Sequence, residues 1–237
     1  MAPAPERRVA ALTGAGISAE SGIATFRGSG GLWENHPVEE VATPGGFARD
    51  PLLVWRFYDA RRRQAASCSP NAGHRALARL EGALGGRFTL ATQNVDGLHL
   101  LAGSRRVLEL HGSLWRVRCT RCGYAGEERT VPLPTLSPRC ACGALLRPDI
   151  VWFGEALPTE VFEAAAEAAE SCDLFLVVGT SGVVEPAASL ARLAARSGAK
   201  VWEVNPEATP LTPFCDRSVR SGAGAVLDEL VDEILAR

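Results

Sequence analysis

The chain has 237 residues, 46% of them hydrophobic and 22% charged, with a formal net charge of −2. That length suits one α/β domain with insertions, or one and a half domains, and the charge balance excludes a surface built for nucleic acid or membrane lipid. No apolar run approaches the roughly 18 residues of a membrane-spanning helix, residues 1–7 are too short for a leader peptide, and the cysteine usage suits a reduced, cytoplasmic setting.

Residues 9–12 (Val-Ala-Ala-Leu) read as a buried strand. Gly14, Gly16 and Ala19 then make a Gly-x-Gly-x-x-Ala pattern where a helix opens, and free amides at a helix start favour a phosphate. Small residues there also serve tight strand-to-helix packing. A dehydrogenase unit would continue through a full helix to a second strand ending in an acidic residue about 20 positions on. Here the helical signal breaks at Gly22 and a glycine-rich loop follows over 28–31, as if a loop folds over a ligand.

Further along, 37–47 is loop-like, punctuated by Pro44-Gly45-Gly46, and 50–66 carries helical spacing. A second helix starts near Asn71, which can cap it. Strands are expected over 88–91 and 107–110, an extended piece over 149–153, a helix over 158–171 and a strand over 174–178. A helix over 186–197, a strand over 200–204 and a closing helix over 225–236 complete the series. The recurrence of strand, loop and helix points to an α/β fold, a Rossmann-like parallel sheet with helices on both faces. Ligands of such sheets sit outside the carboxyl ends of the strands, where the polar clusters of this chain fall.

Cys119-x2-Cys122, 17 residues, then Cys140-x-Cys142 is a zinc-ligand pattern. Four thiolates leave no open coordination position, so the metal is expected to be structural. The second pair is one residue tighter than usual, and Pro132, Pro134 and Pro138 suit a stiff insertion that needs a staple. Cys68, Cys172 and Cys215 are scattered and read as reduced, buried thiols. His111 stands at a strand end, and Asn94 and Asp96 follow another strand, so the three can face one crevice. A neutral imidazole is a natural general base for a sugar hydroxyl. His36 and His74 have no such company, and His99 reads as structural.

Taken in order, Gly14-Ala15-Gly16-Ile17-Ser18, Thr25-Phe26-Arg27, Thr92-Gln93-Asn94-Val95-Asp96, Leu110-His111-Gly112, the four cysteines and Gly179-Thr180-Ser181 resemble the sirtuin family of NAD-dependent protein deacylases. The resemblance covers nearly the whole chain. It implies a Rossmann-like NAD-binding domain from 1–34, 75–115 and 146–237, with a helical insertion at 35–74 and a zinc-binding insertion at 116–145. It makes His111 and Asn94 catalytic, with His111 as base. Gln93, Asn94, Val95 and Asp96 would hold the nicotinamide ribose. Gly14, Ala15, Gly16, Glu20, Thr25, Phe26, Arg27 and Trp33 would line the reactive half of NAD, with Phe26 shielding it from water. The adenosine half would fall to Gly179, Thr180, Ser181, Asn205, Pro206, Glu207 and Ala223. In the family the acyl oxygen of a modified lysine attacks the ribose and expels nicotinamide, and the base then activates a ribose hydroxyl, giving free lysine and 2′-O-acyl-ADP-ribose. Zinc does no chemistry in that scheme.

Tyr58 and Arg61 lie at i and i+3 and share a helix face. By themselves, Arg61-Arg62-Arg63 read as a solvated charge run. Within the resemblance, Tyr58-x-x-Arg61 matches the sirtuin subclass that prefers malonyl- and succinyl-lysine, with weaker deacetylation. Val151, Phe153, Gly154, Glu155 and Val183 would hold the acyl-lysine peptide as an added strand. Acyl-lysine proteins or peptides are thus the implied partners, and a monomer is expected. The alternatives are a general lysine deacetylase, a protein ADP-ribosyltransferase, and a non-catalytic NAD-binding module that would have lost His111 or Asn94. Gly182, in place of a more usual small polar residue, and the short cysteine pair depart from the family pattern.

Overall fold

The structure is a computed structural model and describes residues 7–24, 32–33 and 36–236. In chain order its strands are β1 (Val9–Thr13), β2 (Leu32–Trp33), β3 (His36–Pro37), β4 (Phe88–Thr92), β5 (Val107–Glu109), β6 (Gly112–Cys119), β7 (Ala125–Glu127), β8 (Leu146–Ile150), β9 (Leu174–Val178), β10 (Lys200–Val204) and β11 (Arg217–Val219). The α-helices are α1 (Gly16–Ala19), α2 (Val38–Val41), α3 (Pro44–Arg49), α4 (Pro51–Ser67), α5 (Ala72–Leu84), α6 (Leu98–Leu101), α7 (Thr159–Ser171), α8 (Ser189–Arg196) and α9 (Ala223–Ala236).

β1 is apolar on both faces, which suits a strand flanked by parallel neighbours and covered above and below. The main sheet is parallel with order β11-β10-β9-β1-β4-β5. Side-chain alternation divides its two cores. Val9 and Ala11 pack with Leu77, Leu80, Leu227 and Val231 of α5 and α9. Ala10 and Leu12 face Ala165, Ala169, Leu190 and Ala194 of α7 and α8. Thr13 is level with Thr92 on one side and Val178 on the other, and Val178 with Val204. The chain leaves β1 with β4 on one flank and β9 on the other, so the segments that follow these strands meet at a topological switch point.

A third core belongs to neither face of this sheet. Val54, Trp55, Phe57 and Tyr58 of α4 pack against Leu114, Trp115 and Val117 of β6, and against Ile150 and Trp152. β6 is the middle strand of an antiparallel sheet, β7-β6-β8, that carries the cysteines at one end.

Several expectations change. The stretch 37–47 holds two short helices, because Thr43 Oγ1 accepts the Gly46 amide at 2.9 Å and Pro44 sits at the first helical position, where proline is tolerated. The extended piece at 149–153 ends at Ile150, and it pairs with β6 instead of joining the main sheet. The helix expected from 186 starts at Ser189. The arginine run is not solvated. Arg62 is 1% exposed, donating to the carbonyls of Leu114, Glu128 (2.6 Å) and Thr130 (3.0 Å), so it bolts α4 to β6 and the segment after β7. Arg61 is buried as well; Arg63 alone reaches out, paired with Asp59 at 2.7 Å.

Candidate active site

The loops after β1, β4, β9 and β10 and the faces of α4 and the segment after β8 enclose one cavity of about 500 Å³. His111 lies in the turn between β5 and β6. Gly112 makes that turn with φ +78°, and a Cβ there would run into the Asp149 carbonyl. His111 Nδ1 is 3.0 Å from the Gln93 carbonyl, which can only accept. The proton therefore sits on Nδ1, and Nε2 carries the lone pair. Burial lowers the His111 pKa, and the Gln93 carbonyl offsets this only in part, so the ring is a neutral base at neutral pH.

Asn94 and Asp96 do face the same cavity, and Ser18 joins them. The Ser18 hydroxyl donates to Asp96 Oδ2 at 2.8 Å and accepts from Asn94 Nδ2 at 3.1 Å. Asp96 Oδ1 accepts the Leu98 amide at 2.8 Å, while burial pushes its carboxyl above the ordinary value. His74 lies 3.3 Å from Ser18 Oγ through Nε2, and its Nδ1 accepts the Asn71 amide, so Nε2 is the donor. The expectation that His74 stands alone is thus corrected. Its position at N3 of α5, inside a capping box with Asn71, was the sequence signal for an oriented ring. His99 packs edge-on to His74 at 4.9 Å and contacts Thr13 Oγ1 at 2.9 Å, a structural post as expected. Burial holds His74 down to about 4 and His99 down to about 3.

At the far end, Gly179, Thr180, Ser181, Asn205 and Glu207 line the cavity. Asn205 Nδ2 donates to the Thr180 carbonyl at 2.8 Å, and Gln93 Nε2 donates to Thr180 Oγ1 at 2.8 Å. Gly14, Ala15 and Gly16 line it too, and the glycines serve tight packing, one of the two roles expected of small residues there. A Cβ on Gly14 or Gly16 would lie within 2.8 Å of Thr180 or Gly179 backbone, so the two turns interlock. The amides of Gly14 and Gly16 are taken by the Val178 and Gly179 carbonyls, and those of Ile17 and Ser18 by Gly14 and Ala15. The helix start therefore does not offer a set of free amides.

Val95 also lines the cavity, as do Tyr58, Arg61, Val151, Phe153, Gly154 and Glu155. Glu20 does not; its carboxylate accepts the Gly224 amide at 3.1 Å. Pro206 and the buried Ala223 also stand off the wall, and Val183, 63% exposed, sits beside Val184, which lines it. Thr25, Phe26 and Arg27 lie outside the described residues, and Trp33 is described only as part of β2. Arg147 was missed, and Trp152, inside the segment 151–155 expected to hold the peptide, makes contacts that its spacing did not announce. Trp152 Nε1 donates to Tyr58 Oη at 3.0 Å, and the Arg147 guanidinium lies 3.3 Å from the Trp152 ring centroid.

The sulfurs of Cys119, Cys122, Cys140 and Cys142 all lie within 4.8 Å of one another, with Cys119–Cys142 and Cys122–Cys140 at 3.6 Å. Tetrahedral zinc with bonds of about 2.3 Å needs sulfurs about 3.8 Å apart. The residues fit the ion, and the short Cys-x-Cys pair is no obstacle. None of the four lines the cavity, so the metal's part is structural.

Comparison with known proteins agrees with this geometry. A model of the Sir2 family matches residues 14–186. An NAD-dependent protein deacylase 2 of Pyrobaculum aerophilum is 53% identical, over 99% of this chain and 94% of its own length. A solved Sir2 homolog–NAD complex superposes with a TM-score of 0.89 at 49% identity, covering 97% of this chain and 90% of that one. A Sir2–p53 peptide–NAD+ complex does so with a TM-score of 0.83 at 32% identity, covering 98% and 95%. With one cavity at the switch point, a neutral histidine on its wall and a four-cysteine staple beyond it, the chain belongs to the Sir2 family.

Proposed function

We propose that this enzyme is an NAD-dependent protein-lysine deacylase that removes malonyl and succinyl groups in preference to acetyl. The observation that carries the acyl preference is the buried pair at the end of the cavity near α4: Arg61, 7% exposed, and the fully buried Tyr58 line the same cavity as His111. The Arg61 guanidinium lines the cavity together with Ala42, Ala65, Leu114 and Ile150, and its planar fork matches a carboxylate. Acetyl-lysine fits the same space without using the charge.

NAD supplies the ribosyl carbon that takes the acyl oxygen and the nicotinamide that leaves. Gly179, Thr180, Ser181, Asn205 and Glu207 hold its adenosine half, and Ser18, Asn94 and Asp96 the polar groups of the other half. His111 Nε2 takes up a proton from a hydroxyl, with Nδ1–H anchored on Gln93 so that the ring cannot turn. Phe153 is 48% exposed and, with the exposed Val183, offers an apolar edge to a peptide whose lysine enters between them. Glu155 acts behind this edge, since both its oxygens are engaged by Arg147.

The test is nicotinamide release from NAD with matched acetyl-, malonyl- and succinyl-lysine peptides. The acidic acyl groups are expected to win, and Arg61→Met should lower the succinyl-to-acetyl ratio of kcat/KM by about tenfold or more, the size of a lost charged hydrogen bond. A wild-type preference for acetyl-lysine overturns the acidic-acyl reading in favour of a general deacetylase.

A further inference from the structure

We infer that Glu203, off the cavity wall, is a positioning residue for NAD, its buried carboxylate folding residues 205–212 into the wall that takes the adenosine half. The inference rests on the reading above that puts the adenosine half at the end formed by Gly179 and Asn205.

Glu203 lies near the end of β10, level with Val177 of β9 and Ser218 of β11. Alternation along the strand puts it on the face of Val201, which packs in the core of α7 and α8, and it is 0% exposed. A carboxylate in such a place is costly unless its oxygens are met by donors. Oε1 accepts the Thr209 hydroxyl. Oε2 accepts the Thr212 hydroxyl at 2.7 Å, the Ser218 hydroxyl at 3.2 Å and Arg220 Nη1 at 2.8 Å. Burial alone would raise the Glu203 pKa, but the hydrogen bonds from Thr209, Thr212 and Arg220 hold it below the ordinary carboxylate range. The charge therefore stays in place.

That charge shapes the chain after β10. Asn205, Glu207, Ala208, Thr209 and Pro210 line the cavity, yet Pro206, Glu207, Ala208 and Pro210 are exposed, so apolar burial does not set their path. A carboxylate only accepts, so both threonine hydroxyls must donate to it. Thr212 Oγ1 is then left to accept the Thr209 amide at 2.8 Å and Arg220 Nη2 at 3.1 Å, and Thr209 Oγ1 accepts the Leu211 amide at 3.1 Å. Arg220 Nη1, besides meeting Glu203, donates to the Glu207 carbonyl at 2.9 Å. One buried carboxylate thus sets two hydroxyl directions, the turn they close and the arginine that ties down Glu207. The apolar foot of the segment is Leu211, which is 0% exposed and packs beside Gly182. Gly182 has φ +69°, and a Cβ on it would lie 2.8 Å from Leu211 Cγ. The departure from the family pattern at Gly182 therefore makes room for Leu211. With Asn205 Nδ2 on the Thr180 carbonyl, 179–182 and 205–212 close as one wall.

The test uses the whole protein with NAD and an acyl-lysine peptide, and ADP-ribose and nicotinamide as inhibitors that report on the two halves of NAD separately. Glu203→Gln keeps the shape and removes the charge. It should raise KM for NAD and the inhibition constant of ADP-ribose together, by about tenfold. The inhibition constant of nicotinamide should not move, nor should the succinyl-to-acetyl ratio that belongs to the acyl end near α4. Thr212 is off the wall as well, so Thr212→Val should act on the same two constants only through the segment, by about fivefold, and Thr212→Ser should restore them. Unchanged constants in a folded Glu203→Gln protein, a Thr212→Ser as impaired as Thr212→Val, or a shift that nicotinamide shares overturns the positioning role. If Glu203→Gln does not fold, the Thr212 pair decides. Asn205→Ala, on the wall itself, tests the reading beneath: an unmoved ADP-ribose constant there takes the adenosine half away from this end, and the role of Glu203 with it, whatever Glu203→Gln does.

Discussion

The two ends of the cavity are built by different means. At the sheet end, groups are held by backbone: Gly14 and Gly16 lock onto Val178 and Gly179, and Gln93 and His111 are tied carbonyl to ring. At the acyl end almost everything is side chain on side chain, with Tyr58, Trp152, Arg147 and Glu155 drawn from segments roughly 90 residues apart. The first arrangement follows from strands ending level in a parallel sheet, so its chemistry comes with the fold. The second depends on a separate core whose sheet is stapled by four cysteines. Chemistry and selectivity should therefore fail independently.

The largest effect expected belongs to the sheet end. Replacing His111 with Tyr removes the proposed base, and general base catalysis is worth about 10²–10⁴-fold. Turnover of acetyl and succinyl peptides should fall together by that order, while zinc content stays at one per chain. Unchanged turnover in a folded His111→Tyr protein would move the base elsewhere.

The staple should break the other end first. Cys142→Ser, or chelation, loses a ligand from the site that joins the end of β6 to the start of β8, and metal binding in such modules is folding energy. Tm should fall by about 10 °C or more, the order of a loss of several kcal/mol in a domain of this size. Tyr58 and Trp152 sit in the same core, so the succinyl-to-acetyl ratio should fall with the metal. An unchanged ratio with no zinc bound would sever the link between the metal and that end of the cavity.

Much of the sheet end was legible because its signals are local. A strand followed by Gly-x-Gly, a strand followed by Asn-x-Asp, and a strand followed by His-Gly each carry their chemistry within a few residues. What was not legible there concerns partners distant in sequence: the glycines pack tightly, but against Gly179 and Thr180, and His74 serves Ser18. The acyl end was legible only as the pair Tyr58 and Arg61. Nothing in the spacing of Trp152 or Arg147 says that one stacks on the other or that the indole reaches α4, because that contact depends on how two insertions pack. The arginine run failed for the same reason. Charge pattern alone cannot tell a solvated face from Arg62 driven into three carbonyls.

Acid should probe the sheet end selectively. His74 and His99 stay neutral in the fold down to about pH 4 and about pH 3. The unfolded chain takes up those protons below about 6.5, so folding stability is full above that pH and is lost as pH falls through the window below it. At pH 5 each histidine costs up to about 2 kcal/mol on this argument. His99→Gln, which can still donate to Thr13, should flatten the acid limb by about that amount between pH 7.5 and 5 in urea titrations. An identical acid limb in the variant would place the sensitivity in other groups. Because the folded pKa of His111 is also lowered by burial, kcat/KM should hold its plateau to below pH 6.5 before falling.

The smallest effects separate the two ends most cleanly, because they can be matched. Asn71 caps α5 and ties it to the Ile17 carbonyl at 2.7 Å, and Thr43 caps α3 through the Gly46 amide. Loss of either cap should cost about 1 kcal/mol of stability. Their kinetic signatures should differ. Asn71→Ala loosens the helix that carries His74 behind Ser18 and Asn94, so it should act on KM for NAD, with the acyl ratio unmoved. Thr43→Ala loosens the segment whose Ala42 carbonyl accepts the Phe153 amide at 2.9 Å, so it should act on KM for the peptide, equally for acetyl and succinyl. If both variants shift the same Michaelis constant, the two ends are one mechanical unit and the division argued from their construction does not hold.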